Sequence, residues 1–290
     1  MAARKLIEKR VEKVWGRRDL PEMFGGEYGG REPLGEIWFE DPIAKDGDLL
    51  VKYLFTSKKL SIQVHPDDEA AARRGHRCGK DEAWIILKAE PGSTIGIGLR
   101  ERVSREELRH AALDGSIEDL IDWRPAAAGD ILYSPAGTLH ALGPGLTLIE
   151  LQQNVDLTYR LYDYGRPRDL HLEDGIKACD PAPYASPTRP YFRADGREIL
   201  AHGQAFVFER LPQGTMGTLR AASDRPVWLV PVSGGGSIPG SLLKPGSVWL
   251  ADSDTSLRVG EETELFVAYP GKAVRDDLIV WKNEYRRAVA

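Results

Sequence analysis

The sequence is poor in cysteine and methionine, with two and three of them in 290 residues. Cys78 and Cys179 lie far apart, so their spacing predicts neither a disulfide framework nor a thiolate zinc site. No apolar run approaches the length that crosses a bilayer. The first residues are charged and lack the apolar segment of a secretory signal. We therefore expect a cytoplasmic protein with no membrane partner.

An excess of positive charge is also missing. The chain has 39 lysines and arginines against 44 aspartates and glutamates, which gives a net charge of −5 and an isoelectric point near 5.8. This balance predicts no nucleic-acid partner, although a local basic pocket could still bind a phosphate group. A hydrophobic fraction of 42% and a charged fraction of 29% are typical of a globular protein.

Glycine and proline, in contrast, are plentiful, and the 30 glycines and 19 prolines separate short runs of alternating polarity. This pattern predicts a mostly β protein with a few short helices, as in sandwiches, barrels and jelly rolls. Helices are predicted at 66–75, at 104–123 with a break at Gly115, and at 170–178. The predicted strands cover residues 9–16, 34–40, 49–55, 59–65, 82–87, 129–135, 146–152, 158–163, 205–211, 214–220, 226–232, 247–251 and 264–269.

The length suits one large domain or two modest ones. Between residues 180 and 187, prolines and small residues interrupt every hydrophobic period, which is typical of a linker. We therefore expect a first domain over residues 1–180 and a smaller C-terminal β domain over residues 190–290.

The stretch from Leu60 to Asp68 alternates strictly and predicts a strand with one apolar and one polar face. The polar face carries Ser61, Gln63 and His65. An imidazole and an amide oxygen two residues apart on one face are suited to binding a metal. The same face could instead be solvated or hydrogen-bonded.

Glu82 and His140 supply two further donors. Together with Gln63 and His65 they give two imidazoles, a carboxylate and an amide oxygen. Zinc accepts N and O donors, and three strong ligands with an exchangeable position is the pattern of catalytic sites. The absence of thiolate ligands leaves manganese, cobalt and iron open as well. Taken singly, His140 could bond backbone in its turn, and Glu82 could form a surface ion pair with Lys80.

The segments around these residues form an ordered set: Gln63-Val64-His65-Pro66-Asp67, Gly79-Lys80-x-Glu82-x-Trp84, Pro135-x-Gly137-Thr138-x-His140-Ala141 and Thr158-Tyr159-Arg160-Leu161-Tyr162-Asp163-Tyr164. This set resembles the type I phosphomannose isomerases, also called mannose-6-phosphate isomerases, in their short bacterial form. The long helical insertion of the larger family members is missing. The likeness runs from Trp15 to about Cys179, with three shorter segments, Trp15-Gly16, Gly35-Glu36-x-Trp38 and Leu170-His171-Leu172.

The resemblance implies a cupin-type jelly-roll β-barrel for the metal-binding catalytic domain. It also implies one zinc ion per chain, held by Gln63, His65, Glu82 and His140. It places Arg160, with Lys80 nearby, beside a phosphosugar substrate, and Ser61 joins them as an expected substrate-binding residue. The implied reaction is the interconversion of mannose 6-phosphate and fructose 6-phosphate. The C-terminal half matches no motif, so its cupin-like β domain is inferred from strand counting alone.

Such an isomerisation moves a proton between C1 and C2 of an open-chain sugar through an enediol, and it needs a base. Glu150 is one candidate, on a strand close after the His140 loop, although it could instead orient a ligand imidazole. Lys80 is a second candidate, since burial near a metal would lower its pKa. Arg160 offers a planar fork to a phosphate or carboxylate, or it pairs with Asp163 or Glu150.

Two other classes of protein compete with this hypothesis. A metal-dependent cupin dioxygenase would use a similar set of His and Glu around iron and would consume oxygen, without evident need of Lys80 and Arg160. A non-catalytic sugar-binding cupin would keep the barrel without requiring both a complete metal set and a base. The sequence leaves open the oligomeric state, the physiological metal and the strictness among hexose 6-phosphates.

Overall fold

The computed structural model describes residues 2–44 and 47–282, which form a mostly β protein. The strands of the first half are β1 (Ala3–Lys5), β2 (Ile7–Arg17), β3 (Leu34–Glu40), β4 (Leu49–Phe55), β5 (Ile62–Val64), β6 (Glu82–Ala89), β7 (Thr94–Leu99), β8 (Ile121–Pro125), β9 (Ile131–Ser134), β10 (His140–Leu142), β11 (Leu146–Gln153) and β12 (Tyr159–Tyr162). Those of the second half are β13 (Tyr191–Phe192), β14 (Glu198–His202), β15 (Phe206–Arg210), β16 (Thr215–Leu219), β17 (Val227–Ser233), β18 (Gly236–Ile238), β19 (Ser241–Leu243), β20 (Trp249–Ala251), β21 (Thr255–Val259), β22 (Glu264–Pro270) and β23 (Ile279–Trp281).

Helices are few and short: α1 (Asp68–Ala72), α2 (Arg105–Asp114), α3 (Ile117–Leu120) and α4 (Leu172–Ala178), with a 3₁₀ turn at Glu22–Phe24. None of the helices in the described ranges is long and apolar enough to cross a membrane.

The strands form four antiparallel sheets, which we call sheets I to IV. Sheet I has the strand order β2-β3-β4-β11-β6-β9, and sheet II has the order β12-β5-β10-β7-β8. Sheet III has the order β1-β20-β17-β22-β15-β14-β13, and sheet IV has the order β19-β18-β21-β16-β23.

Three apolar layers hold the sheets together. Sheets I and II enclose a layer that includes Trp15, Leu54, Trp84, Ile97 and Leu148. Sheets III and IV enclose a second layer, which includes Val207, Leu229, Leu257 and Val267. The outer faces of sheets I and III pack against each other through a third layer, which includes Phe39, Tyr53, Ile149, Phe206, Phe208 and Trp228. Each half is therefore a two-sheet unit, and the two units share a core.

Strand β4 shows why these strands have nearly continuous apolar sequences. Successive side chains point to opposite faces of a strand. Tyr53 accordingly packs in the layer shared with sheet III, while Leu54 packs between sheets I and II. Because both faces are buried, all seven residues of β4 are buried, and Lys52 among them is a charged exception that needs buried partners.

The predicted fold class is confirmed, and each predicted strand overlaps an observed one. The helical prediction over 104–123 is correct for α2 and α3 but wrong beyond Leu120, where β8 begins. Gly96 of β7 lies opposite Trp123, and a side chain at Gly96 would collide with Ile121. The glycine therefore leaves room for the β8 side chains to pack as a strand. The break at Gly115 is observed, with this glycine in the left-handed region at φ 88°.

The division into domains at residues 180–190 remains a prediction, and strand β1 crosses it. Ala3 to Lys5 pair with Ala251 to Trp249 of β20, so the first strand joins a sheet of the second half. Arg4 fixes this strand through ion pairs with Asp41 at 2.6 Å and with Asp252. A three-residue strand carries too little periodicity to reveal its distant partner in the sequence.

Candidate metal and substrate site

The candidate site lies between the facing sheets of the first half. In sheet II, β10 and β5 are antiparallel neighbours, and His140 lies directly opposite Gln63. In sheet I, β11 pairs with β6, so that Gln152 lies opposite Glu82. The two sheets thus bring together the metal-binding candidates from segments that are distant in sequence.

Backbone carbonyls set the orientation of both histidine rings. Nδ1 of His65 lies 2.9 Å from the Leu157 carbonyl oxygen, and Nδ1 of His140 lies 3.0 Å from the Thr138 carbonyl oxygen. A carbonyl only accepts hydrogen bonds, so each Nδ1 carries a proton, and Nε2 is the ring atom of each histidine that faces Glu82. Burial lowers the pKa of His140 to about 4, which keeps its ring neutral near pH 7. Neutral imidazoles are the form that binds metals.

Glu82 faces both of these Nε2 atoms. Its Oε2 lies 3.3 Å from Nε2 of His65 and 3.4 Å from Nε2 of His140. That oxygen is buried and has no hydrogen-bond partner within the described ranges. Burial alone would raise the pKa of Glu82, but the charges of His65 and Lys80 outweigh it and hold the pKa well below its ordinary value.

His65, Glu82 and His140 place one ligand atom each within 4.8 Å of one another. The two Nε2 atoms and Oε2 of Glu82 are a donor set that fits a divalent metal. The set contains only N and O donors, which zinc accepts. We call these three residues the donor cluster.

Gln63 adjoins the donor cluster. Its amide nitrogen lies 3.3 Å from Nε2 of His140, and its amide oxygen accepts a hydrogen bond from Ser61 Oγ at 3.0 Å. Rotation of the amide by half a turn would exchange the two atoms and direct the oxygen to the cluster. Ser61 therefore touches Gln63 directly, in addition to lining the cavity described below.

Lys80 also contacts the donor cluster. Its Nζ lies 2.5 Å from Glu82 Oε1 and 3.3 Å from His65 Nε2. The pair is buried, with the Lys80 side chain 5% and the Glu82 side chain 1% exposed. The alternative of a surface ion pair between these two residues is therefore wrong.

Glu150 is held by two donors rather than by an imidazole. Lys52 Nζ donates to its Oε1 at 3.0 Å, and the Trp84 indole donates to its Oε2 at 3.0 Å. Lys52 also donates to Gln152 Oε1 at 2.5 Å. Burial would lower the pKa of Lys52, but Glu150 and its acidic neighbours outweigh this and raise it, so the ammonium stays charged. The alternative role of Glu150, orienting a ligand imidazole, finds no support in these contacts.

Arg160 pairs with neither of the carboxylates proposed as alternatives. Its Nη1 donates to the Asp169 carbonyl at 2.9 Å, and its buried Nε has no hydrogen-bond partner in the described part of the chain. Asp163 instead binds Arg166 at 3.0 Å and Arg168 at 2.6 Å. Burial, followed by the charge of Arg168, lowers the pKa of Arg160.

A cavity of about 200 Å³ lies beside the donor cluster and is lined by its neighbours Gln63 and Lys80. Its lining includes Ser61, Gln63, Lys80, Glu150 and Arg160 from the sequence prediction, and also Lys52, Trp38, Asp156 and Arg168, which the prediction missed. The signal for Lys52 is its position as the one charged residue in the apolar strand β4. Arg168 carries no such signal, because a charged residue in a polar loop is ordinary.

A scan against protein-family models found no match, but individual proteins of similar sequence and structure were found. The chain is 35% identical over 261 residues to the mannose-6-phosphate isomerase of Streptococcus mutans serotype c, with 77% of this chain and 82% of that protein covered. It is also 35% identical over 179 residues to the probable mannose-6-phosphate isomerase GmuF of Bacillus subtilis, with 59% of this chain and 51% of that protein covered.

Among solved structures, the mannose 6-phosphate isomerase from Bacillus subtilis superimposes with a TM-score of 0.77 at 24% identity, over 93% of this chain and 99% of that one. A putative mannosephosphate isomerase from Archaeoglobus fulgidus gives a TM-score of 0.72 at 17% identity, over 93% and 97%. These two likenesses concern the fold and agree with the cupin-type architecture. Because the Streptococcus mutans relative is matched over most of both chains, this chain belongs to the mannose-6-phosphate isomerase family.

Proposed function

We propose that this protein interconverts mannose 6-phosphate and fructose 6-phosphate. The observation that supports this most directly is a single cavity that adjoins the donor cluster and is lined by a carboxylate, Glu150, and a guanidinium, Arg160. A hexose 6-phosphate has a reactive carbonyl end and an anionic end, and the cavity offers chemistry for both. The relatives named as mannose-6-phosphate isomerases favour this substrate over other phosphosugars.

His65, Glu82 and His140 would hold one divalent metal, for which we propose zinc, with the amide oxygen of Gln63 as a fourth ligand. A metal bound there supplies Lewis-acid polarisation of the carbonyl and hydroxyl oxygens of an open-chain sugar and stabilises the charge that develops on them.

Glu150 and Lys80 are the candidate groups for moving the proton between C1 and C2. Both oxygens of Glu150 already accept hydrogen bonds, from Lys52 and Trp84. Lys52 Nζ forms a buried ion pair with Glu150 Oε1 at 3.0 Å, and a carboxylate is a group that can accept a proton. Lys80 lies against Glu82 and His65, so its replacement would also disturb the donor cluster. Glu150→Gln is therefore the cleaner test of a base, because it should abolish turnover without loss of metal.

Arg160, whose position on β12 lies opposite Gln63, would bind the phosphate in the cavity that it lines. Its buried Nε is unpartnered among the described residues, and Arg168 lines the same cavity with its guanidinium held by Asp163. Two neighbouring guanidinium groups repel each other, and a phosphate dianion between them would relieve this repulsion through charge-assisted hydrogen bonds.

The rival classes make different predictions. A dioxygenase would consume oxygen, and a sugar-binding cupin would bind a phosphosugar without converting it. A coupled enzyme assay can monitor the conversion of mannose 6-phosphate to fructose 6-phosphate. Run beside an oxygen electrode, it distinguishes the isomerase, the dioxygenase and the sugar-binding protein. We expect turnover that is lost when a chelator strips the metal, returns with zinc and proceeds without oxygen uptake. Oxygen uptake on another substrate, with no isomerisation of any hexose 6-phosphate, would favour the dioxygenase.

A further inference from the structure

Asp81 lies between two residues of the site, Lys80 and Glu82, yet its side chain makes its contacts on the other side of sheet I. Its Oδ1 accepts a hydrogen bond from the Ala136 backbone N–H at 2.8 Å. Its Oδ2 accepts one from the hydroxyl of Tyr133, a residue of the apolar layer between sheets I and III. Alternation along an extended chain means that a side chain fixed on one face orients its two neighbours to the opposite face.

The turn at residues 135–137 connects Asp81 with both histidines of the donor cluster. Ala136 donates its backbone N–H to Asp81, and the next residue, Gly137, donates its own to the His65 carbonyl at 2.8 Å. The same loop provides the Thr138 carbonyl that orients the His140 ring. Hydrogen bonds therefore link the backbone segments of all three donors through the Asp81 carboxylate and this turn.

The second half of the chain packs against Tyr133. The Tyr133 ring packs on Phe206, with ring centroids 5.4 Å apart. Gly203, in the turn between β14 and β15, lies so close that a Cβ placed there would overlap the Tyr133 hydroxyl and Cζ. Burial and the charge of Asp81 raise the pKa of Tyr133, so its hydroxyl stays protonated and can donate.

We infer that Tyr133 and Asp81 are positioning residues for the donor cluster, and that the C-terminal half keeps them in place through Gly203. This gives the two-sheet unit of the second half, which lacks a comparable donor cluster in its described residues, a defined role in the activity of the first half. The inference rests on the metal site of the proposed function. Tyr133 and Asp81 would act through the backbone and the turn, without touching metal or substrate.

Tyr133→Phe tests the hydroxyl alone, because the ring and its packing on Phe206 remain. Zinc-loaded protein is mixed with a chromogenic chelator, and the release of zinc is followed. We expect release to be about tenfold faster in this variant, which is the lower end of what support residues of metal sites contribute. The matched control is Tyr53→Phe, since Tyr53 lies in the same apolar layer and its buried hydroxyl has no hydrogen-bond partner among residues 2–44 and 47–282.

Gly203→Ala tests the contribution of the second half, because the added methyl group displaces Tyr133 without altering any residue of the first half. We expect faster zinc release here too. Gly235→Ala is the matched control, since a Cβ at Gly235 meets nothing within 4 Å. Hydrogen exchange of the Ala136 amide, measured in metal-free protein, should be accelerated in both test variants and in neither control.

Zinc release that is unchanged in Tyr133→Phe and Gly203→Ala would overturn the inference, whatever happens to their thermal stability, because the contact would then serve only packing. Accelerated release in the two controls as well would overturn it equally, since the effect would not be specific to this contact. Failure of the proposed function is a separate outcome. It would appear as zinc-loaded wild-type protein that does not isomerise hexose 6-phosphates, a result that does not enter the comparison of release rates.

Discussion

At the scale of single residues, the site contains buried charged side chains that form ion pairs with one another. The Glu82 side chain is 1% exposed, with one oxygen bound to Lys80 and the other facing two imidazole nitrogens. Removing the partner of a buried charge is strongly destabilising. The second oxygen of Glu82 lies beside the Nε2 atoms of His65 and His140, and these three atoms could bind one metal ion.

His140→Ala should lose the bound metal. The substitution removes one of three strong donors and leaves Glu82 facing a single imidazole. Elemental analysis of purified protein should find about one metal per chain in the wild type and little in the variant. His65→Ala should behave in the same way.

His110→Ala is the control, because that side chain is 70% exposed on α2, where it pairs with Glu106. Full metal retention in both His65→Ala and His140→Ala would refute the ligand assignment.

Arg160→Ala should weaken the use of phosphosugars while leaving the metal content unchanged. A charge-assisted hydrogen bond to a charged group contributes roughly 1.5–3 kcal/mol, so kcat/KM should fall on the order of 10- to 100-fold. Arg160→Lys should recover only part of this, since an ammonium cannot form the bidentate contact. Steady-state kinetics with mannose 6-phosphate measure the effect, and unchanged kinetics in the alanine variant would mean that Arg160 is structural.

The candidate residues of the donor cluster could be predicted from the sequence because each lies in a spaced local motif. Lys52 is marked in the sequence as the one charged residue of an apolar strand, but its role could not be predicted, since that role depends on the pairing of β4 with β11, which places Lys52 opposite Glu150. Arg160 was foreseen as an anion anchor, but the pairing of Asp163 with Arg166 and Arg168 depends on how the loop after β12 folds back. Such loop contacts leave no periodic signal.

At the scale of secondary-structure elements, predictions of helices and strands were correct where the local sequence pattern was strong. The capping box at the start of α2 is present, with the Glu107 backbone N–H donating to Ser104 Oγ at 3.1 Å and the Ser104 N–H donating to Glu107 Oε2 at 2.8 Å. Strands β7 and β8 were missed because glycines dilute the alternation in one and the adjoining helical pattern masks the other.

Ser104→Ala should lower the free energy of unfolding by about 1 kcal/mol, because it removes the cap of the helix that packs Leu108 on the outer face of sheet II. Urea unfolding measures the change. Ser256→Ala is the control, since Ser256 lies at an exposed position of β21 and caps no helix, and a surface change of this kind should stay within about 0.5 kcal/mol. Equal losses in the two variants would contradict the role of the cap.

Asp41→Asn should destabilise the protein at neutral pH, by roughly 1 kcal/mol once solvent screening is allowed for. Arg4 on β1 holds the pKa of Asp41 below its ordinary value. The folded state therefore favours the ionised carboxylate, a contribution that is complete above the unfolded-state pKa and is lost as pH falls through the folded-state value. Unfolding in urea at pH 7 and at successively lower pH should show the difference between wild type and variant shrinking in acid. A constant difference would contradict the ion pair as its source.

At the scale of the whole molecule, the two halves are joined by more than a linker. The layer between sheets I and III contains residues from both halves, and β1 adds an N-terminal strand to sheet III. The mostly β class and the β-rich second half could be predicted from the glycines and prolines that separate short runs of alternating polarity. The layer between sheets I and III could not be predicted, because an apolar strand face indicates that the face is buried but not which sheet covers it.

The central claim is that the donor cluster serves a proton transfer within a hexose 6-phosphate. Its most direct test is to incubate mannose 6-phosphate with the zinc-loaded protein in deuterated water and to follow the sugar carbons by NMR. We expect formation of fructose 6-phosphate, with deuterium at the carbon that receives the proton to the extent that the base exchanges with solvent. We also expect His140→Ala to be inactive and His110→Ala to be active. Zinc-loaded wild-type protein that leaves mannose 6-phosphate and fructose 6-phosphate unconverted would contradict the central claim.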